Sequence, residues 1–386
     1  MSRWRNFCIT ELADFCNAQR IPLSAMERAH KKGNFPYYGA SGIVDYIDNY
    51  IFDGSYILIS EDGENLKSRK TPIAFEATGK FWVNNHAHVL KAKKPHLTAL
   101  IIQYFSQLDL SPYLTGAAQP KLNKASLNLI PLYLPIDESE QKAIASVLSS
   151  LKDKIDLLHC QNKTLESMAE TLFRQWFIEE SQDEWPEATL NQYVELNKSS
   201  IDKKYNIKEI QYLDTGSLTK GKISELQKIL LSDAPSRAKR LVNNFDIIIS
   251  TVRPDQCHYG ICIDPPSNLV VSTGFCVITS KSLSPFFIYY LITSEDMTEY
   301  LHSIAEGSTS TYPSLKPEDI GNIPFLYPSE EKLKNFHDLV GSYWNKIHNN
   351  HKKIQTLETL RDTLFPKLMS GEVRVQYAEE KLESVA

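Results

Sequence analysis

The sequence predicts an α+β protein: two mixed, strand-rich domains separated by a long antiparallel two-helix coiled coil, the whole built as an internal pseudo-repeat. Three observations predict it. A block of residues occurs twice, short β-type runs precede each copy, and heptads of apolar residues follow each copy.

The repeat is seen first in "IPLYLP" (130–135), which returns as "IPFLYP" (323–328). Upstream, Pro120, Leu122 and Pro131 fall on Pro313, Leu315 and Pro324 at a constant offset of 193. Downstream, Ile155, Leu165, Thr171, Leu172 and Phe173 fall on Ile347, Leu357, Thr363, Leu364 and Phe365 at an offset of 192. One register kept across prolines, leucines and a shared "TLF" marks a duplication, and a period this long belongs to domain-sized halves rather than a solenoid.

Residues 1–135 form the first domain, with "DYIDNYIF", "SYILIS" and "KFWVNNHAHVLKA" as strand-like runs between Gly, Asn and Asp turns. Residues 183–328 form the second, with "NNFDIIISTVRPD", "YGICIDPP" and "NLVVSTGFCVIT". "DGSYILISEDG" and "NNFDIIISTVRPD" read as the same edge of the same fold.

A helix follows each domain, over 136–182 and 329–372, and 373–386 is left as a tail. In the first helix Leu148, Ile155, Asn162, Ala169 and Trp176 fall at heptad position a, and Ile144, Leu151, Leu158, Leu165 and Leu172 at d. In the second, Val340, Ile347, Ile354, Arg361 and Leu368 fall at a, with Phe336, Tyr343, Asn350, Leu357 and Leu364 at d. Packing the two arms on each other satisfies both seams. An antiparallel register that sets Asn162 opposite Asn350 also brings Leu148 to Leu364 and Ile155 to Leu357. The asparagines either pair and fix that register, as buried polar residues can, or sit at solvated positions. From Ile144 to Trp176 the seam spans about 50 Å at 1.5 Å per residue, which gives a spacer between two heads.

Composition bounds the rest. At 386 residues and 42% hydrophobic the chain can bury ordinary cores. No run reaches the ~18 apolar residues of a membrane span, and "MSRWRNFCITELADFC" lacks a signal-peptide pattern, so a cytoplasmic protein is expected. Six cysteines show no C-x-x-C spacing; Cys257, His258, Cys262 and Cys276 could ring a metal, but their apolar neighbours favour buried thiols. The net charge of −5 is uneven: +4 over residues 1–135, −4 over 136–180, −5 over 181–327 and zero over 328–386. If the chain holds DNA, phosphate attraction alone is weak, and a hidden basic face or a partner supplies the charge.

The stretch "TGAAQPKLNKASLNLIPLYLPIDESEQKAIASVLSSLKDKID" and its second copy from "STSTYPSLK" resemble the specificity subunits of type I restriction-modification systems, as do "FPYYGASGIVDYIDNYIFDGSYILISEDG" and "GKFWVNNHAHVL". The resemblance covers essentially the whole chain. Its second copy departs by having "SEEK" where the first has the "EQ" that follows the proline element. It implies that each domain is a target-recognition domain for one half of a split, asymmetric site in double-stranded DNA, with the helices setting the unread gap. It implies two methyltransferase subunits docked on the helices, an enzyme that methylates adenine with S-adenosylmethionine held in the partner, and endonuclease/translocase subunits that join for restriction. Two heads on one face of B-DNA would read half-sites about one helical turn apart, near 34 Å.

Base readout needs bidentate donors and acceptors, and positioning needs cations or amides at phosphates. In the first domain the candidates are Lys31, Lys32, Tyr37, Tyr38 and Ser41 in a Gly-rich loop, then Lys67, Arg69 and Lys70 of "LKSRK", which is a DNA contact or a solvated charge run. Asn84, His86 and His88 follow, the two histidines alternating with Ala87 on one face, as DNA contacts or hydrogen-bonded structural groups; a catalytic or metal role would need a carboxylate that sequence does not place. Thr115, Gly116, Gln119 and Lys121 complete the set. In the second domain they are Arg237, Lys239 and Arg240, the densest basic cluster, then Arg253 and Gln256, and Ser308, Thr309, Ser310 and Tyr312 of "GSTSTYP". Arg253 is the strongest single candidate for a guanine contact, with a structural ion pair as the competing role.

Two enzyme motifs are near misses. "DPPS" (264–267) has serine where an aromatic should stack on a flipped base, and no glycine-rich cofactor loop precedes it. "PED" (317–319) with "EEK" (330–332) mimics a nuclease but straddles a helix start, where acidic residues serve as caps. The chain reads as a recognition subunit without catalytic site, cofactor or metal of its own. A coiled-coil scaffold with two protein-binding heads is the alternative.

Overall fold

A computed structural model describes residues 3–116, 119–202, 205–308, 312–369, 372, 373 and 375. The chain divides into two compact units, Met1–Leu158 with Lys352–Ala386, and His159–His351. Apart from Glu372, Val373 and Val375, the tail read from the sequence lies outside the described residues.

Among the described residues the first unit contains ten strands: β1 (Trp4–Phe7), β2 (Ala13–Phe15), β3 (Lys32–Gly39), β4 (Gly42–Ile47), β5 (Phe52–Asp53), β6 (Tyr56–Ser60), β7 (Ala74–Ala77), β8 (Lys80–Val83), β9 (Ala87–Ala92) and β10 (Leu132–Pro135). They form a sheet of order β2-β9-β6-β7, a second of order β4-β3-β8-β5, and the pair β1-β10. The strand β6, YILIS, is central and buried from Ile57 to Ser60. Its run is unbroken because both faces are covered. Ile57 and Ile59 pack with Leu100, Ile101 and Phe105 of the helix His96–Gln107, while Leu58 packs with Phe52, Phe81, Val83 and Val89.

The proline element closes the unit. β10 pairs antiparallel with the first strand, Phe7 opposite Leu132 and Trp4 opposite Pro135. Ile130, Leu132 and Leu134 are fully buried, while Pro131 and Tyr133 face outward, so "IPLYLP" is a period-two strand with one core face.

The second unit repeats this plan strand for strand. Its elements are β11 (Glu187–Thr189), β12 (Val194–Leu196), β13 (Glu209–Leu213), β14 (Leu218–Thr219), β15 (Lys222–Ile223), β16 (Gln227–Leu230), β17 (Ala238–Leu241), β18 (Ile247–Ser250), β19 (Tyr259–Ile261), β20 (Leu269–Ser272), β21 (Phe275–Ser280) and β22 (Pro324–Leu326). The sheets run β12-β21-β18-β19 and β16-β13-β20-β17, and β11 pairs with β22. With the β14-β15 hairpin set aside as an insertion, every strand has a counterpart in chain order. The parallel pair β3 with β8 recurs as β13 with β20. In β18, Ile247 and Ile249 enter one apolar cluster and Ile248 another, as in β6.

Two long helices, Glu138–Phe173 and Glu330–Met369, contribute a stretch to each unit. In the first unit Ile144, Leu148, Leu151, Ile155 and Leu158 share one cluster with Ile354, Leu357, Leu364 and Leu368, and that cluster continues into the sheets. In the second unit Ala169 and Phe173 pack with Phe336, Val340 and Ile347, with Leu165 and Leu172 half-buried beside them. The first helix ends in a π-helical stretch, Arg174–Glu179. Near the end of the second helix Pro366 cannot donate to the Asp362 carbonyl, and the Gln107 carboxamide donates to it instead at 3.4 Å.

Asn350 Nδ2 donates to Asn162 Oδ1 at 2.8 Å, with both residues buried. In the same unit Lys332 lies 3.2 Å from Glu180. Moving 18 residues forward on one helix thus moves 18 back on the other, so the pair is antiparallel. Replacing Asn350 alone with leucine strands the Asn162 amide in an apolar seam, and we expect unfolding free energy to fall by about 1–3 kcal/mol. The double variant N162L/N350L should recover most of that loss, because an apolar pair needs no hydrogen bond. A denaturation double-mutant cycle measures this; additive losses would show that the asparagines do not act as a pair.

Candidate nucleic-acid interface

At one edge of the first unit, turns from both sheets are bound together by main-chain hydrogen bonds. After β6 the chain turns through Glu61, Asp62 and Gly63. The Glu61 N–H donates to the His86 carbonyl at 2.9 Å, the Gly63 N–H to Pro120 at 3.1 Å, and the Leu122 N–H to Glu61 at 2.8 Å. Thr115 and Lys121 exchange N–H···O bonds of 2.8 Å each, closing a small loop. Gly116 in that loop has φ +84°, and a Cβ there would stand 2.3 Å from the Gln119 carbonyl oxygen, so only glycine fits. The β3–β4 turn joins through the Ser60 hydroxyl, which donates to the Ala40 carbonyl, and the Asn84 N–H, which donates to Tyr38 at 3.0 Å. Thr115, Gln119, Lys121, Ser41 and His86 are exposed on this edge, beside half-buried Asn84 and Asp62. His86 Nδ1 lies 2.8 and 3.0 Å from the two Asp62 carboxylate oxygens; Asp62 is the carboxylate that sequence did not place.

Beneath the edge lies a charged network. Arg20 donates to Glu61 and to the Ala87 carbonyl, both at 2.7 Å, and Lys121 stands 3.6 Å from Glu61. Burial acts to raise the Glu61 carboxyl, but Arg20, with His88 and Lys121, outweighs it and holds the group below its ordinary value.

Several expected contacts are assigned elsewhere by the fold. His88 is buried, its Nε2 2.7 Å from the Leu122 carbonyl and its Nδ1 2.9 Å from the Asn17 amide; it is a structural histidine. It does not share a face with His86, because β9 starts at Ala87 and His86 belongs to the preceding turn. The segment carrying Lys32, Tyr37 and Tyr38 is the strand β3, not a loop. Tyr37 is buried with its hydroxyl on the Leu23 backbone, and Tyr38 packs against Phe75 and Phe81. Lys32 pairs with Asp45 at 2.6 Å, and Lys31 stands over Trp82, at the far end of β3 from the bundled turns. Arg69 closes the short helix Asn65–Ser68 in a left-handed conformation and donates to the carbonyls of Ser106 and Leu108 at the end of the helix His96–Gln107. Lys67 and Lys70 remain exposed.

The second unit builds the same edge. The Thr251 N–H donates to Gly274 at 2.9 Å, Arg253 to Pro313 at 3.0 Å, and Leu315 to Thr251 at 2.7 Å. Even the isolated bridge between Asp62 and Lys121 has its counterpart between Val252 and Ser314. The displayed chemistry differs. Thr215, Gly216, Ser250, Val252, Arg253, Gln256, His258 and Tyr312 line a cleft of about 280 Å³. The Arg253 guanidinium lies 4.9 Å from the Tyr312 ring centre, and His258 Nε2 stands 3.0 Å from the Gln256 carboxamide. Arg237 adjoins this edge, its carbonyl accepting from the Thr273 N–H, and Lys239 is exposed. Arg240 is turned to Ser200 at 3.3 Å and half-covered by the neighbouring segment. Ser308 is half-buried beside Ser314, while Thr309 and Ser310 lie outside the described residues. Sequence reasoning missed Thr215 and Asp62, which carry no local signal, and weighed His258 only as a metal ligand.

The cysteine–histidine group does not gather: Cys262 and Cys276 sit in different apolar clusters, their thiols pushed up to about 12 by burial, and His258 Nδ1 bonds the Leu218 carbonyl. Among the described residues no group of three or more His, Cys, Asp or Glu could hold a metal, and no helix is long and apolar enough to cross a membrane.

The His88 site yields a pH prediction. Burial lowers its basicity below the ordinary 6.5, against the pull of the Leu122 carbonyl and Glu61. The unfolded chain therefore binds more protons here as pH falls below about 6.5, so this contribution to stability is present above that value and lost beneath it. H88Q keeps a donor toward Leu122 but does not titrate. The drop in melting temperature from pH 7.5 to 5.5 should be smaller in H88Q than in the wild type; equal drops would place the acid sensitivity elsewhere.

Comparison with known proteins gives this geometry its context. Residues 1–167 match the family model described as type I restriction modification DNA specificity domain. A putative type I restriction enzyme specificity subunit of Haemophilus influenzae is 36% identical over 143 residues, covering 37% of this chain and 36% of that protein. The MjaIX specificity subunit of Methanocaldococcus jannaschii is 27% identical over 387 residues, covering 89% of this chain and 88% of the other. Among solved structures, the type I restriction-modification S subunit from M. genitalium has the same fold, with a TM-score of 0.60 at 16% identity over 95% of this chain and 96% of that one. With two homologous strand-rich units and an antiparallel helix pair, the chain is similar to specificity subunits of type I restriction-modification systems, and residues 1–167 carry the match to their DNA specificity domain.

Proposed function

We propose that the chain is the specificity subunit of a type I restriction-modification system and reads a split, asymmetric site in double-stranded DNA, one half-site per unit, with the bundled turns of each unit as the reading edge. The observation that carries this is the conserved frame with divergent display. Matching main-chain bonds, Glu61 to His86, Gly63 to Pro120 and Leu122 to Glu61 in one unit and Thr251 to Gly274, Arg253 to Pro313 and Leu315 to Thr251 in the other, tie turns that display Asp62, His86 and Lys121 in the first and Arg253, Gln256 and Tyr312 in the second. Backbone contacts position a protein on DNA, whereas side chains at base edges specify, so one frame with two side-chain sets suits two unlike half-sites.

The helices serve as the docking surface for two methyltransferase subunits, and endonuclease/translocase subunits join that complex. S-adenosylmethionine belongs to the methyltransferase, whose target is adenine. This chain contributes recognition and no reacting group. The acidic balance of the second half agrees with a complex in which partners supply much of the phosphate attraction.

Single-molecule sequencing of adenine methylation in host DNA, with and without this gene, tests the proposal. A bipartite methylated motif should vanish on deletion. A motif set unchanged by deletion, in cells whose partner methyltransferase is expressed and active, would overturn it.

A further inference from the structure

We infer that Arg253 is the guanine-reading residue of the second unit, a specificity determinant with no counterpart in the first. The inference rests on the DNA-reading role proposed above and names the chemistry at one position of one half-site.

Arg253 has φ +50° and ψ 68°, in the left-handed region that non-glycine residues seldom occupy and that is strained when they do. The frame imposes this conformation. The Arg253 N–H is bonded to Pro313, its carbonyl accepts from the Gln256 N–H at 3.0 Å, and buried Pro254 follows. The equivalent residue in the first unit is Gly63, with φ +109° and the matching bond to Pro120. Glycine therefore satisfies this position without strain. An arginine here adds nothing to the frame, and its side chain is the feature that differs.

That side chain is committed to no ion pair or side-chain hydrogen bond among the described residues. It is exposed at the mouth of the cleft, its guanidinium over the Tyr312 ring, which limits its orientations. Thr215, Gln256 and His258 supply further polar groups around it. A planar fork of donors, stiffened by an aromatic face and flanked by polar groups, matches the paired O6 and N7 acceptors of guanine in the major groove. A phosphate also accepts an arginine fork, so the two contacts are told apart by their effect on sequence: a base contact acts on one position of the site and a phosphate contact on every sequence alike.

The test uses the chain in complex with its methyltransferase. R253G fits the left-handed backbone, so its melting temperature should match or exceed the wild type's. R253K keeps the charge and loses the fork. Both variants should relax one guanine position of one half-site, by roughly 5- to 150-fold in methylation rate between guanine and other bases. The other half-site is the internal control and should stay fully specified. On duplexes where that guanine is 7-deazaguanine, the wild type should lose its preference and the variants should show no further loss. Four results would overturn the inference: methylation falling evenly on all sites with the motif unchanged, which marks a phosphate contact; no change at all; relaxation at a base other than guanine; or loss of stability with failure at both half-sites, which marks a structural role. Absence of any motif with the wild-type chain would instead overturn the DNA-reading proposal itself.

Discussion

Each unit depends on one constraint: the turn that leaves its central strand must be tied to the Pro-x-Leu loop that leads into its closing segment. In the first unit Gly63 and Leu122 supply the N–H groups and Pro120 and Glu61 the carbonyls; in the second, Arg253, Leu315, Pro313 and Thr251 do the same. These are main-chain bonds at the margin of a core, where Leu122 and Leu315 are buried, so leaving them unmade would strand polar groups in a dry environment. Because no side chain makes these bonds, most positions on the frame can change their side chains without breaking it. On the proposed function, that independence lets one frame carry two unlike sets of reading side chains.

Much of this was legible because it is written in core residues. Pro120, Leu122 and Pro131 keep register with Pro313, Leu315 and Pro324 because they form the tie and the strand that closes each unit, where a shift of one residue would reverse β10 or β22. The seam was legible because burial at helical spacing leaves a heptad trace, and Asn162 and Asn350 stood out as polar residues within it. What was not legible is where a polar tip goes when its body is apolar. Tyr37 and His88 offered groups suited to DNA, but the backbone of Leu23 and Leu122 takes them. Arg69 looked like part of a cationic loop, and helix-end carbonyls claim it. Such partners lie 14 to 37 residues away and are backbone atoms, which no residue type advertises. The histidine alternation failed for a simpler reason: period two applies only inside a strand, and His86 is outside one.

The same distinction between committed and uncommitted charge bears on how such a subunit would hold DNA. In the first unit Arg20, Lys32 and Lys121 face Glu61 or Asp45, Arg28 is held by Asp45, and Arg69 is held by carbonyls. Exposed Lys67 and Lys70 flank the edge, and in the second unit Arg237, Lys239 and Arg253 do so. Each phosphate neutralised adds to affinity on any sequence, whereas each base contact adds only on the right one. On the proposed function, a reading edge with few free cations and a stiffened arginine sacrifices affinity for every sequence in order to sharpen the difference between sequences. Under that proposal general attraction falls to partner subunits, and a chain of net charge −5 would not occupy DNA at random without them.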